Sequence, residues 1–329
     1  MNTNRFIMNT IGVYTQTTTA AGYKADLVKA FAKGVGQVAN DNWRAELVPE
    51  SKVKNGYSHV FCFNYQRTYP KKEARVGLHL RMKLIERYEP TGNIWYFDSN
   101  VLNSYEKTRQ HVHGSFVRIA YGKVYPNETN YFNDNPKPDK WEYMRNTCGI
   151  DVKPYTKTGR KIYICCNRGT GGYSGHGVNA ADWAIETAKT LRKYTDRYIV
   201  VRTHSGMGHP TAEEDIKKLY SAKNDIKDFD VHSPRNNYPN LIQEVQDSYA
   251  VVVFTSSSGA PAIIEGKALF VTHPTGYLTP MNAGKLEDIE NPNYDLDRDK
   301  FLHGLGESHW TLAQIEKGDY FRKFLERQK

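Results

Sequence analysis

Short apolar runs alternate with amphipathic stretches along most of this chain. In the first third, IGVYT (11–15) reads as a buried strand, QTTTAAG (16–22) as a polar loop and YKADLVKAFAKG (23–34) as a helix. Leu27, Val28 and Phe31 recur at helical spacing, and Gly34 predicts the helix end. SHVFCFNY (58–65) and NIWYFDS (93–99) are apolar enough for buried strands, with a charged helix between them. The pattern breaks at PNETNYFNDNPKPDK (126–140), rich in Pro, Asn and Asp and therefore loop. The segment running on through DVKPYTKTGR (151–160) predicts a crossover between domains.

The second half is more regular. KIYICC (161–166) predicts a strand, NRGTGGYSGHG (167–177) a glycine-rich loop and NAADWAIETAKTLRKYT (179–195) a helix with Ala184, Ala188 and Leu191 on one face. RYIVVRTHSG (197–206) is a strand entering a loop, followed by a charged helix near 212–223. NLIQEVQDSY (240–249) reads as a helix, AVVVFT (250–255) as a strand, SSSGAPAIIEGK (256–267) as a loop and short helix, and ALFVTHP (268–274) as a strand. Such alternation, with β-branched strands, predicts a parallel sheet covered on both faces. Two such halves predict an α/β fold of two Rossmann-like domains facing a cleft, spanning 1–155 and 156–329.

In sheets of this kind, ligands lie beyond the carboxyl ends of the strands. The loops there carry Asn167, Arg168, Arg202, His204, Ser256, Ser257, Ser258 and His273. Guanidinium groups, hydroxyls and the N–H groups of a helix start are what a phosphate needs. A helix beginning near Gly259–Ala260, capped by Ser257 and Ser258, would turn its positive end to the ligand. Serines are small enough for a diphosphate to approach the backbone, and Glu265 is placed for a ribose diol. The plainer alternative is a capped helix in an ordinary βαβ unit. GTGGYSGHG (169–177) fits neither GxGxxG in register nor GxxxxGK[ST], which speaks against a dinucleotide or P-loop site. His176 and His204 lack partners at ligand spacing, so no metal site is expected.

Composition adds bounds. A chain of 329 residues suggests two domains, and 39% hydrophobic with 12% aromatic residues excludes a disordered chain. No apolar run approaches the roughly 20 residues of a membrane span, and MNTNRFIMNT lacks a signal-peptide core. A soluble, intracellular protein without membrane partners is expected. Four cysteines without a CxxC pair predict free buried thiols. The net charge of +9 favours a polyanionic partner. Basic residues cluster in the first half. NYQRTYPKKEAR supplies Arg67, Lys71, Lys72 and Arg75 beside Tyr65 and Tyr69; RMKLIER and KTRQHVHGSFVR add Arg81, Lys83, Arg87, Lys107, Arg109 and Arg118. A solvated basic helix face is the alternative reading.

SSSGAPAIIEGKALFVTHP resembles the C-terminal donor-binding element of GT-B glycosyltransferases. KIYICCNRG, DWAIETAKTLRKYTDRYIVVRTH, PMNAGKLEDIENP and DRDKFLHGLGESHWTLAQIEKGDYFR extend the resemblance, over roughly 155–325, to a tailed-phage glycosyltransferase family. Two departures stand out: GAPAIIEG replaces the family's AVEA helix, and RTHSG replaces the RPHP of related transferases. Pro261 still suits a helix start.

The resemblance implies a GT-B fold, a UDP-sugar as co-substrate with no permanently bound cofactor, and a sugar-modified pyrimidine in DNA. It implies a monomeric phage protein in the cytoplasm of its bacterial host. In that reading Arg168, Arg202 and His204 stabilise the departing diphosphate. No DxD motif is present, so a metal is not expected to be essential. Ser256, Ser257, Ser258 and Glu265 would hold the nucleotide. The family's base lies in the N-terminal domain, where Asp98 ends the strand IWYF; a turn aspartate is the alternative, and Asp26 is a second candidate. Thr17, Thr18 and Thr19 are placed to meet sugar or phosphate. A target base must be flipped or single-stranded, and Arg67, Lys71, Lys72, Arg75 and Arg109 would grip the DNA. Two rivals share these motifs: a transferase with a polysaccharide or lipid acceptor, and a non-catalytic DNA- or nucleotide-binding protein.

Overall fold

The computed structural model describes residues 8–17, 23–38, 42–63, 76–105, 116–122, 135–167, 178–204, 210–233, 240–274 and 276–328. The chain forms two units, Met1–Met144 with His303–Lys329, and Arg145–Leu302.

In chain order the first unit holds β1 (Asn9–Tyr14), α1 (Tyr23–Val38), β2 (Trp43–Val48), β3 (His59–Phe63), α2 (Val76–Tyr88), β4 (Ile94–Ser99) and β5 (Phe116–Tyr121). The chain passes to the second unit within α3 (Asp139–Cys148). That unit holds β6 (Lys161–Cys165), α4 (Ala180–Leu191), β7 (Tyr198–Arg202), α5 (Pro210–Ser221), β8 (Phe229–His232), α6 (Leu241–Gln246), β9 (Ser248–Val253), α7 (Ala260–Ile264) and β10 (Ala268–Val271). The chain returns within α8 (Arg298–Ser308), and β11 (His309–Thr311), α9 (Leu312–Glu316) and α10 (Asp319–Arg327) complete the first unit.

The first sheet runs β11-β5-β4-β3-β1-β2. β2, β1, β3 and β4 are parallel; β5 and β11 are attached antiparallel. The second sheet is wholly parallel, in the order β10-β9-β6-β7-β8. Counted from β6 as strand one, that order is 5-4-1-2-3, a doubly wound sheet of five strands with its topological switch between β6 and β9. Ile162, Ile164, Val201, Val231, Val252 and Phe270 bury against Ala181, Ala184, Ala188 and Leu191 of α4 and their neighbours. Burial on both faces explains the unbroken apolar strands. The α/β fold of two Rossmann-like units is therefore as expected.

The division of the chain differs from 1–155 and 156–329. Trp310, Ile315, Tyr320, Phe321 and Phe324 bury in one core with Phe31, Phe61 and Trp95, so the C-terminal helices belong to the first unit. Trp95 lies 5.0 Å from Phe324, and Trp43 lies 5.6 Å from Phe321. The expected crossover, in turn, is fixed to the second unit. Lys153 N–H donates to the Ile264 carbonyl at 2.7 Å and Thr156 N–H to that of Gly266 at 2.9 Å. Gly266 holds φ +65, and a Cβ there would stand 2.0 Å from the Pro154 oxygen. Gly34 does not end α1, which runs on to Val38. A Cβ on Gly34 would lie 2.0 Å from the Ile315 carbonyl oxygen, so this glycine lets α9 approach α1.

Burial of His309 in β11 has a consequence for acid stability. Its Nδ1–H donates to the Leu305 carbonyl at 2.7 Å, and its Nε2 accepts from Val101 N–H at 3.2 Å. Both ring nitrogens are engaged only if the ring is neutral. Burial drives its pKa down to about 3, and that of His59 down to about 4. An unfolded histidine takes up a proton near pH 6.5 that the folded ring refuses. Stability is therefore full above pH 6.5 and falls as the pH drops below it, by about 1.4 kcal/mol per pH unit for each ring. Between pH 7 and pH 5, His309 is expected to forfeit about 2 kcal/mol. Urea unfolding of the wild type and His309→Gln at both pH values measures it. Equal losses in the two proteins would contradict the assignment.

Among the described residues no helix is long and apolar enough to cross a membrane. Cys62, Cys148, Cys165 and Cys166 are buried and form no disulfide.

Candidate functional site

The topological switch of the second sheet is occupied by the stretch that follows β9. Ser256 is extended, at φ −75 and ψ 140. Its Oγ accepts from Ser258 N–H at 3.2 Å and lies 2.7 Å from the Ser258 Oγ. Ser256 therefore caps a single 3₁₀ turn, Ser257–Gly259, that leads into α7. The capping expected of Ser257 and Ser258 falls instead to Ser256, because the extended residue is the one whose oxygen faces the turn's N–H groups. This leaves Ser257 exposed and Ser258 half-buried. A Cβ on Gly259 would meet Leu269 at 2.8 Å and Leu278 at 2.9 Å, so the turn lies flat on the core. With five residues, α7 is too short to supply much of a dipole. Any anion here would depend on hydroxyls, N–H groups and nearby cations.

The loop after β6 meets this turn. Asn167 Nδ2 donates to Thr255 Oγ1 at 3.0 Å, a buried bond across the switch. Burial pushes the Cys165 thiol up to about 12 even though Ser258 hydrogen-bonds it, so this thiol is inert. On the other side, Trp183 Nε1–H of α4 donates to Thr272 Oγ1 at 3.0 Å. The Phe254 ring lies 5.8 Å from Trp183 and 4.7 Å from His273.

Arg202 ends β7, and its guanidinium is ion-paired with Glu244 of α6. The other Glu244 oxygen lies 2.7 Å from Nδ1 of His232, which ends β8. The Glu244 side chain is 1% exposed. Arg202 is thus a positioned cation with a buried counter-ion. His232 Nε2 lies 3.7 Å from Asp230, and the Tyr163 ring stands 6.0 Å from the imidazole. Burial first, and Glu244 next, push the Tyr163 phenol up. Sequence reasoning missed Glu244 and His232. A glutamate inside an amphipathic helix carries no linear sign that two strand ends will enclose it. His204, two residues beyond β7, is half-buried.

Glu265 is not brought to the serine turn. It follows the last residue of α7, at the opposite end of that helix, where it is buried and accepts from Gln246 Nε2 at 3.1 Å. α7 stops at Ile264, and Glu265 is its C-cap, with its N–H donating to the Pro261 carbonyl at 2.8 Å.

In the first unit, Asp98 is the penultimate residue of strand β4. Its Oδ1 accepts from Ser99 N–H at 2.7 Å. Its Oδ2 is 3.8 Å from Arg118 of β5, the residue paired with it across the ladder. Asp98 is 35% exposed at its side chain and Arg118 is buried. Arg81 donates from Nε and NH2 to the Thr17 carbonyl at 2.9 and 2.7 Å, with its guanidinium 4.9 Å from the Phe63 ring centre. Thr17 Oγ1 in turn donates to Tyr14 O at 2.7 Å and accepts from Phe63 N–H at 3.2 Å. Thr17 is a buried part of the turn, not an exposed ligand. Asp26 is exposed on α1.

Arg168, His176, Thr18, Thr19, Arg67, Lys71, Lys72, Arg75 and Arg109 lie outside the described residues. Among the described residues no group of three His, Cys, Asp or Glu side chains suits a metal ion.

No family model and no curated protein matches the chain. Among solved structures it is similar to the beta Kdo 2,4 transferase of Thermosulfurimonas dismutans KpsC, with a TM-score of 0.53 and 10% identity over 91% of this chain and 89% of that one. The beta Kdo 2,7 transferase of the same KpsC gives a TM-score of 0.48 and 11% identity over 96% and 99%. The first likeness is one of fold, a pair of Rossmann-like units of the GT-B kind.

Proposed function

We propose that this chain is a glycosyltransferase that moves a sugar from a nucleotide-diphosphate sugar, first of all a UDP-sugar, to a hydroxymethylated or hydroxylated pyrimidine in DNA. The observation that carries the transferase reading is the serine turn at the switch between β6 and β9. Open α/β sheets bind ligands at that place. A likeness of fold to a sugar transferase supports a sugar donor as that ligand.

In this reading Ser257 and Ser258 donate to the diphosphate. Arg202, aimed by Glu244, and Arg168 with His204 meet its growing negative charge. The bond from the sugar's anomeric carbon to the phosphate oxygen breaks, and the diphosphate leaves with the electron pair. The acceptor oxygen bonds the same carbon while its proton passes to Asp98. Glu265, held by Gln246 at the far end of α7, takes no contact with the diphosphate in this reading. The DNA acceptor is supported by the net charge of +9 and by the basic clusters around Arg67 to Arg75 and Arg109. A glycan acceptor is the second reading, favoured by the likeness to a Kdo transferase.

The test offers a panel of nucleotide-sugars with either duplex DNA containing 5-hydroxymethylcytosine or a set of oligosaccharides, and reads products by mass spectrometry. A glycosylated nucleoside is expected. An extended oligosaccharide in its place would move the acceptor to the second reading. Donor binding without product on any acceptor would leave a nucleotide-binding protein, and no donor binding would end the proposal.

A further inference from the structure

We infer that the amino-terminal edge of the second unit's sheet carries a binding site for single-stranded nucleic acid. That edge holds an open depression of about 840 Å³ before β6, β7 and β8. A five-residue strand is about 17 Å long, so this depression and the serine turn are separated by the full height of the sheet.

Its floor is built of engaged groups. Arg197 pairs with Glu290 through Nε and NH2, both at 3.0 Å. It also donates to the Gly159 carbonyl at 2.9 Å and lies 3.5 Å over the Tyr249 ring. Arg192 donates to the carbonyls of Thr195, Arg197 and Asp228 at 2.8, 2.9 and 3.4 Å. Its partners are neutral oxygens, so the Arg192 charge is fixed in place but not neutralised.

The rim is different. Arg160 and Lys193 are exposed and form no ion pair among the described residues. Tyr194 and Tyr198 are 45% and 39% exposed, two of the five exposed large hydrophobic side chains among the described residues. Of the acids, Glu290 is taken by Arg197 and Asp228 lies 3.9 Å from Lys227. That leaves Asp196 alone against Arg160, Arg192 and Lys193.

Unneutralised cations beside exposed aromatic faces are the two parts of a single-strand site: phosphates meet the cations and bases stack on the rings. A duplex keeps its bases stacked on each other and offers none to Tyr194. An anionic glycan meets the cations but has no flat π face for the ring. The site requires no sugar transfer, so it stands or falls apart from the transferase reading.

The test is fluorescence anisotropy of a labelled oligothymidylate, about 15 nucleotides long to fill one site, titrated with the full chain over a range of salt. The double charge reversal Arg160→Glu with Lys193→Glu is expected to weaken binding by at least about 10-fold. It should also shrink the slope of log K against log salt by about 1.4, some 0.7 per cation. Tyr194→Ala should weaken binding about 10-fold and leave the slope unchanged. These side chains are exposed, so melting temperatures should match the wild type. Variants that bind as the wild type does would overturn the inference. So would dextran sulfate competing as well as the oligonucleotide while Tyr194→Ala has no effect, which would mark a site for anionic glycans.

Discussion

Replacing Glu244 with alanine is expected to destabilise the protein by about 3–5 kcal/mol, the usual result of removing one partner from a buried ion pair. Glu244 joins the ends of β7 and β8 to α6, with Arg202 on one oxygen and His232 on the other. Its removal leaves the Arg202 guanidinium, itself mostly buried, without its counter-ion. The double variant Glu244→Ala with Arg202→Ala is expected to recover much of the loss, because no charge is then stranded. A double-mutant cycle in urea reads this directly, and adjacent charges of this kind should show a coupling of about 2–3 kcal/mol. A single-variant loss under about 1 kcal/mol would mean that water reaches the pair and that Arg202 is not held by Glu244. The same variants bear on function. If Arg202 meets the diphosphate, Glu244→Ala should weaken nucleotide binding even at a temperature where the protein remains folded.

The parts of this fold that were legible are those whose physics is local. β6, β7, β9 and β10 are short apolar runs because both faces of their sheet are covered. β2 was not legible: at the sheet edge its residues are half-buried or exposed up to the buried Val48, and WRAELV carries an arginine and a glutamate. β5 was hidden by Arg118, a buried cation whose reason is Asp98 on the neighbouring strand. Near neighbours in sequence predicted that α10 would join the preceding domain. Its apolar stripe of Tyr320, Phe321 and Phe324 instead fills a core made largely by strands more than two hundred residues earlier. In the candidate site, which of the three serines caps the turn is decided by one extended backbone, at Ser256. Glu244 and His232 could not be found from spacing, because their meeting depends on the order of strands in the sheet.

In the transferase reading, Asp98→Asn is expected to lower turnover by about 10²–10⁴-fold, the range that general base catalysis supplies. The substitution isolates the proton-accepting role. An asparagine Oδ1 can still accept the 2.7 Å bond from Ser99 N–H, so the end of β4 should keep its shape. The Asp98 side chain is 35% exposed, but the substitution removes the charge that faces the buried Arg118, so some stability is expected to be lost and turnover is read at a temperature where the variant remains folded. Nucleotide affinity should be unaltered, because the donor's phosphates are assigned to the second unit. Arg118, paired across the ladder, is a positioning residue for the carboxylate. Arg118→Met should therefore lower turnover before it changes donor affinity. Rates measured at saturating donor, with donor Kd measured separately, distinguish the cases. A turnover within a few-fold of wild type in Asp98→Asn would make Asp98 a turn residue that happens to end a strand. The base would then have to be sought elsewhere in the first unit. A loss of turnover together with donor affinity would instead point to misfolding of β4, which the intact Ser99 bond makes an unexpected result.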